Sequence, residues 1–233
     1  MALGRSTDAF GDRLAARPRR LRDTVKTETI DGYSGYAKAA SYKVNKARQM
    51  MAPFHEVHLA AGKLDLCRQR IQNETSGHRE RADDPLYRAL RAMLTHRSLV
   101  TPKRAERLDE VLTADEHVAV AVTLDFYQEI TATYDEPVAR DGKLRMFKLF
   151  RRIRSGVPRG LKELDTLGRT LWRKRPAILA YFDTGASNGP VGARLNGRLG
   201  HLRGIALGFR NLDHYILRSL IHSGGPRGAI NAL

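Results

Sequence analysis

At 233 residues the chain is long enough for one substantial core, or for a core that carries an inserted subdomain. Its 41 Lys+Arg against 25 Asp+Glu leave a formal charge of +16, a field that favours polyanions such as nucleic acid or an anionic surface. No run of 18 apolar residues exists, residues 1–24 lack the apolar segment of a secretory signal, and Cys67 is the single cysteine; a membrane span and an internal disulfide are excluded, and a cytoplasmic protein is expected.

Residues 9–23 read as a basic helix with Phe10, Leu14 and Leu21 as its few apolar positions. Residues 24–30 are rich in β-branched side chains and predict a strand that ends at Asp31, before Gly32. A second short strand is expected over 47–51. Pro53 then opens a helix in which Phe54, Val57, Ala61, Leu64, Cys67 and Ile71 recur at three- and four-residue steps, so Cys67 reads as a buried small hydrophobe. Residues 76–85 read as a polar loop. Helices follow over 86–94 and 105–112, with Thr101-Pro102 as a start signal for the second, and an apolar helix over 118–134 ends before Pro137. The stretch 143–175 is the most basic, with 12 Lys+Arg and 2 acidic residues. Leu144, Phe147, Leu149, Phe150 and Ile153 anchor one face of it, and Arg151, Arg152 and Arg154 project from the others. A solvated face normally mixes signs, so contact with a DNA backbone is the expectation. Ser187 or Asn188 is placed to cap a helix whose first turn takes Pro190 and whose apolar stripe is Val191, Leu195, Leu199 and Leu202. The last helix begins near Asn211, and Gly224-Gly225-Pro226 stops it.

The segment Ser187-Asn188-Gly189-Pro190-Val191-Gly192-Ala193-Arg194-Leu195-Asn196-Gly197-Arg198-Leu199, with His201-Leu202-Arg203-Gly204 and Gly208-Phe209-Arg210-Asn211-Leu212, resembles the C-terminal signature of DDE-type transposases from bacterial insertion sequences, in the ISL-three group. Thr29-Ile30-Asp31-Gly32-Tyr33-Ser34-Gly35-Tyr36 is similar to the strand end that carries that family's second catalytic aspartate. Met51-Ala52-Pro53-Phe54-His55-Glu56-Val57 resembles the next strand end, usually written Asp-x-Phe-His. Residues 72–88 are similar to the linker into a helical insertion.

The resemblance implies a mainly α fold with a small β remnant, a partial RNase-H-like α/β core interrupted by a helical insertion. Residues 1–53 would be the truncated N-terminal part of that core, 54–186 the insertion, 187–223 the C-terminal core helices and 224–233 a loose tail. A strand ending at Asp31 without its usual central neighbour would be an edge that invites association. The implied chemistry uses three carboxylates to hold two Mg²⁺ or Mn²⁺ ions, which activate the attacking oxygen and stabilise the leaving one. Asp31 would be the retained catalytic and metal-binding carboxylate. Gly192 stands where a glutamate is expected, Ala52 where an acidic residue is common, and Gly200 where a second glutamate is common; the first aspartate would lie upstream of Met1. One of three carboxylates remains, so productive metal binding is not expected, and whether the chain is an enzyme stays open. Arg194, Arg198, Arg203 and Arg210, with Asn188 and Asn196, are the implied DNA contacts of the C-terminal block.

Three readings follow: a truncated, degenerate transposase fragment; a non-catalytic DNA-binding regulator of transposition; and an active metal-dependent nuclease using replacement carboxylates. DNA is the expected partner, with no membrane partner, and an oligomer or an association with intact transposase is open. His55, His58 and Cys67 lack a fourth ligand at zinc spacing. Asp183 reads as a turn-forming residue and Asp83-Asp84 as part of a charged loop.

Overall fold

The computed structural model describes residues 6–30, 34–78, 81–186 and 189–224, the side chains of residues 34, 189–195, 223 and 224 excepted. In chain order the elements are α1 (Thr7–Ala15), α2 (Arg19–Thr24), β1 (Thr27–Ile30), α3 (Ser34–Lys43), β2 (Arg48–Met51), α4 (Pro53–Ser76), α5 (Pro85–Leu94), α6 (Pro102–Leu112), α7 (Val118–Thr133), α8 (Ala139–Ser155), α9 (Lys162–Thr184), α10 (Gly189–Ile205) and α11 (Leu212–Gly224). The fold is mainly helical. The two strands make a small two-stranded parallel sheet, all the strand found among the described residues. Two compact units result, residues 1–47 with 186–233, and residues 48–185.

In the first unit the helix expected over 9–23 is two helices. Pro18 lacks an N–H and disfavours helical backbone at Arg17, so α1 ends at Ala15 and α2 starts after Pro18. Ser6 caps α1, its hydroxyl accepting from the Ala9 N–H at 3.0 Å. Helix α3 carries no long apolar stripe and was not expected. Its alanines are good helix formers, and Ala39 and Ala40 are buried. Gly11, the buried residue of α1, faces Ala39, and the Phe10 and Tyr36 rings meet at 4.9 Å. Asn211 caps α11, accepting from the N–H groups of Asp213 and His214 at 2.8 and 3.2 Å.

In the second unit α4 packs against α7 and α9, and α8 against α9. Leu64, Cys67 and Ile71 of α4, Leu124 and Ile130 of α7, Met146 and Phe150 of α8, and Leu167, Leu171 and Ile178 of α9 form the core. Near its start, α4 buries a different face from the one its apolar residues predict. Glu56 and Ala60 are buried and Phe54 is exposed, its ring stacked on His58. Asp84 is no mere loop residue: it caps α5, accepting from the Tyr87 N–H at 3.0 Å.

The basic stretch 143–175 is two helices, because Gly156, Pro158 and Gly160 separate α8 from α9. They approach closely where Gly168 lies against Ile153; a Cβ on Gly168 would come within 2.6 Å of that side chain. Pro176 sits inside α9, where it removes a hydrogen bond to the carbonyl four residues back. That carbonyl belongs to Trp172, and the Arg175 guanidinium donates to it instead, at 2.8 Å. Arg70 ties α4 to the start of α9 by paired hydrogen bonds to Glu163, both 2.9 Å, and a third to the Gly160 carbonyl at 2.8 Å.

Candidate nucleic-acid interface

Helix α8 divides its basic residues by the face each occupies. Gly142, Met146, Leu149, Phe150 and Ile153 fall at three- and four-residue steps and are buried. One flank is held toward α7: Arg145 pairs with Glu136 at 2.6 Å, and Arg152 pairs with Glu129 at 2.8 Å while its guanidinium lies over Phe126. The other flank is held toward α9. Lys143 donates to both oxygens of Asp183, and the Arg154 guanidinium stacks 4.1 Å from the centre of the Trp172 ring. Arg175 stacks on the same ring at 4.3 Å. The outward face keeps Arg140, Lys148 and Arg151, exposed and without an ion pair or side-chain hydrogen bond among the described residues. A shallow depression lined by Lys148, Arg151, Arg152 and Ser155 lies on it, with Leu144 and Phe147 beside it, also exposed. Of the three arginines expected to project here, Arg151 is free to meet an outside anion, whereas Arg152 and Arg154 already have partners within the unit.

The C-terminal residues divide similarly. Asn196 is exposed on α10, Arg198 on the same helix is half-buried, Arg203 is exposed, and Arg210 is exposed in the connection to α11. Asn188 and Asp31 lie outside the described residues. Gly192 and Arg194 fall within α10, and the Arg194 side chain lies outside those described. At Gly200 a Cβ would meet open space, so packing does not require a glycine there.

Two acidic groups close in sequence to Ala52 and Gly192, Glu56 and Asp183, are committed within the second unit. Asp183 is in the last turn of α9 and forms no turn of its own; Gly185, in the left-handed conformation, ends the helix. The carboxylate bridges Lys143 and Arg48, and hydrogen bonds first from Lys143 and then from Arg48 hold it below the usual carboxylate range. Glu56 is fully buried in the first turn of α4. One of its oxygens accepts a hydrogen bond from the Tyr134 hydroxyl and the other has no partner. Burial pushes the Glu56 carboxyl up to about 8, the hydrogen bond from Tyr134 offsetting part of the effect, so it carries its proton at neutral pH. The Tyr134 hydroxyl is in turn pushed up, by burial first and by Glu56 second. Rings of Tyr181 and Phe182 close over Tyr134, each at 5.4 Å. This pair was not anticipated. The signal for it was a carboxylate four residues before Ala60 and eight before Leu64, on the same helical face.

A transposase family, of the DDE type and the ISL-three group, matches residues 1–219. The chain belongs to this family. No curated protein and no solved structure matches it.

Transposases of this type act on DNA and use divalent metal ions, and the residues of this member can be tested against that requirement. A hard divalent cation takes oxygen ligands. Gly192 and Ala52 have none to offer, and Ala52 is buried. Asp183 is already clamped by two cations, and Glu56 is buried and protonated. Among the described residues no group of three or more His, Cys, Asp or Glu is placed to hold an ion. His55 and His58 lie against Phe54 on α4, and Cys67 is buried with the Thr123 hydroxyl 3.7 Å from its sulfur. Of the expected positions, Gly192 and Ala52 thus contribute no ligand to such a centre. No helix among the described residues is long and apolar enough to cross a membrane.

Proposed function

We propose that this transposase-family chain binds DNA through its basic helical surface and lacks the strand-transfer chemistry of the family. The observation that carries the reading is Gly192, which places a residue without a ligand atom where the chemistry needs a glutamate. The free cations on the outward face of α8, Arg140, Lys148 and Arg151, support the binding half. This reading takes residues 1–53 and 187–223 as parts of an RNase-H-like core and 54–186 as its helical insertion. The division of the chain groups residues 1–47 with 186–233, which supports joining the two ends in one core, and leaves residues 48–53 with the other unit. Asp31 is assigned as a carboxylate of the catalytic set. Arg198, Arg203 and Arg210 of the C-terminal block, with Asn196, are assigned to DNA contact.

The test is a supercoiled-plasmid nicking assay run beside a binding titration, with Mg²⁺ and then Mn²⁺. Binding that falls steeply with salt, without metal-dependent nicking, is expected. Nicking that disappears in Asp31→Ala would overturn the loss of chemistry.

A second reading makes the chain a regulator that competes with an active transposase for DNA ends or for subunits. Leu217, Leu220 and Ile221, exposed together on α11, favour it by offering an apolar face for a partner subunit. A regulator of this kind prefers terminal inverted-repeat DNA to random duplex; equal affinity for both removes competition for ends.

A further inference from the structure

Helices α5 and α6 border a groove of about 600 Å³ that belongs to neither the catalytic positions nor the α8 face. Arg88 and Arg91 line it from α5, Arg104 and Arg107 from α6, and Glu110 is its one acidic residue. Each pair is spaced i, i+3, which puts its members on one helical face, roughly 5–6 Å apart at Cβ. All four arginines are exposed. None donates a side-chain hydrogen bond or forms an ion pair among the described residues, whereas Arg68, Arg70, Arg145 and Arg152 of the same unit are all engaged by carboxylates. Four guanidinium groups around one groove repel one another in the free protein, and a polyanion would turn that repulsion into binding.

The chemistry narrows the occupant. A guanidinium is a planar fork that meets phosphate oxygens two at a time. The floor is made of Ala89, Ala92, Leu108 and Val111. Small and apolar, it offers neither a deep socket for a peptide anchor nor hydrogen-bonding groups for base edges. Regularly spaced cations on a shallow floor suit regularly spaced phosphates. We propose that the α5–α6 groove binds the phosphodiester backbone of duplex DNA, independently of sequence, as a second contact beside the α8 face. The proposal rests on the DNA-binding reading given above.

The experiment measures fluorescence anisotropy of a labelled random-sequence duplex with the full chain between 50 and 200 mM KCl. Native protein is compared with Arg88→Ala/Arg91→Ala/Arg104→Ala/Arg107→Ala, with the double variant Arg91→Ala/Arg107→Ala, and with a quadruple arginine-to-lysine variant. Each lost phosphate contact lowers the slope of log K against log salt by about 0.9, so the quadruple alanine variant should lose about 3 to 4 and the double variant about half of that. Affinity at 100 mM KCl should drop at least tenfold, equally for unrelated sequences, and the lysine variant should keep most of the slope. The four side chains are exposed, so melting temperatures should stay close to native, and the double variant serves if the quadruple one does not fold. Native-like slope and affinity in the double and quadruple alanine variants, with the native chain binding normally, would overturn the groove while leaving the DNA reading intact. A native chain without salt-dependent duplex binding would overturn the DNA reading, and the groove with it. Loss of poly-glutamate binding with unchanged DNA binding would reassign the groove to an acidic peptide.

Discussion

Glu56→Gln should cross the native protein in stability between pH 5 and pH 8. The native carboxyl is wholly buried, with one oxygen on the Tyr134 hydroxyl and the other unpartnered, and its folded value is about 8 against 4.5 for an unperturbed glutamate. A group raised on folding binds its proton more tightly in the folded state. Its stabilising effect is complete below about pH 4.5 and fades as the pH rises through 8. Over that window of about 3.5 units, at about 1.4 kcal/mol per unit, the native protein should lose on the order of 5 kcal/mol from this residue alone. Glutamine does not titrate, and it retains an acceptor for Tyr134 in the same volume. It also buries an amide with unsatisfied donors, which costs about 1–3 kcal/mol at every pH. The variant should thus be the weaker protein at pH 5 and the stronger at pH 8. Urea unfolding of both proteins at pH 5, 6, 7 and 8 measures the difference directly, and the carboxylates common to both, Asp183 and Glu163 among them, cancel. A stability difference that does not change with pH would refute the burial argument.

Three other sites give predictions, and the two glycines among them differ in sign. Arg68, about 1 % exposed, is held by Asp65 and Gln72 and lies near the Tyr87 ring. Arg68→Ala should cost about 3 kcal/mol in chemical denaturation, and Arg68→Met should recover most of the loss, since an apolar side chain of similar length refills the site. Among the glycines, Gly142→Ala should destabilise by about 1–3 kcal/mol, because its Cβ would lie 2.7 Å from both the Thr133 carbonyl oxygen and the Phe182 ring. Gly200→Ala, where a Cβ meets open space in a helix, should stabilise by about 0.5–1 kcal/mol. Thermal melts of the two glycine variants read the opposite signs, and a shift in the same direction for both would contradict the packing described.

Helices α4 to α7 of the second unit were legible because their apolar residues recur at helical spacing and prolines stand at the starts of α4, α5 and α6. Local chemistry also explains what was missed. Proline 18 breaks a run that composition alone presents as continuous, and α3 is built on alanine and tyrosine without a wide apolar stripe. Pro176 does not end α9, because the neighbouring Arg175 satisfies the carbonyl that the ring leaves bare. Long-range partners were beyond reach. Asp183 meets Arg48 across 135 positions, and Glu56 meets Tyr134 across 78, and neither separation follows from any periodicity. The same limit applies to α8: its charge was plain, whereas the division into lashed and free arginines depends on Glu129, Glu136 and Trp172 lying on other elements or beyond the helix.

Binding and catalysis tolerate loss very differently in a protein of this kind. Backbone affinity is a sum of many small, nearly independent contributions, about 0.9 in salt slope for each phosphate contact, so removing one arginine leaves most of it in place. A two-metal centre is a conjunction, in which each carboxylate is needed to hold and position the ions and one missing ligand removes the site's function. On the proposed reading, a glycine at position 192 in place of a ligand would remove the chemistry in a single step while leaving the +16 field essentially unchanged. Restoring a carboxylate by Gly192→Glu should accordingly leave DNA affinity almost as it is, reducing the salt slope by no more than about one contact. It should not restore nicking either, because Ala52 still offers no oxygen and Asp183 stays clamped between Lys143 and Arg48. Metal-dependent nicking by Gly192→Glu would mean that the remaining ligands are already in place, and that the glycine alone separates this chain from an active transposase.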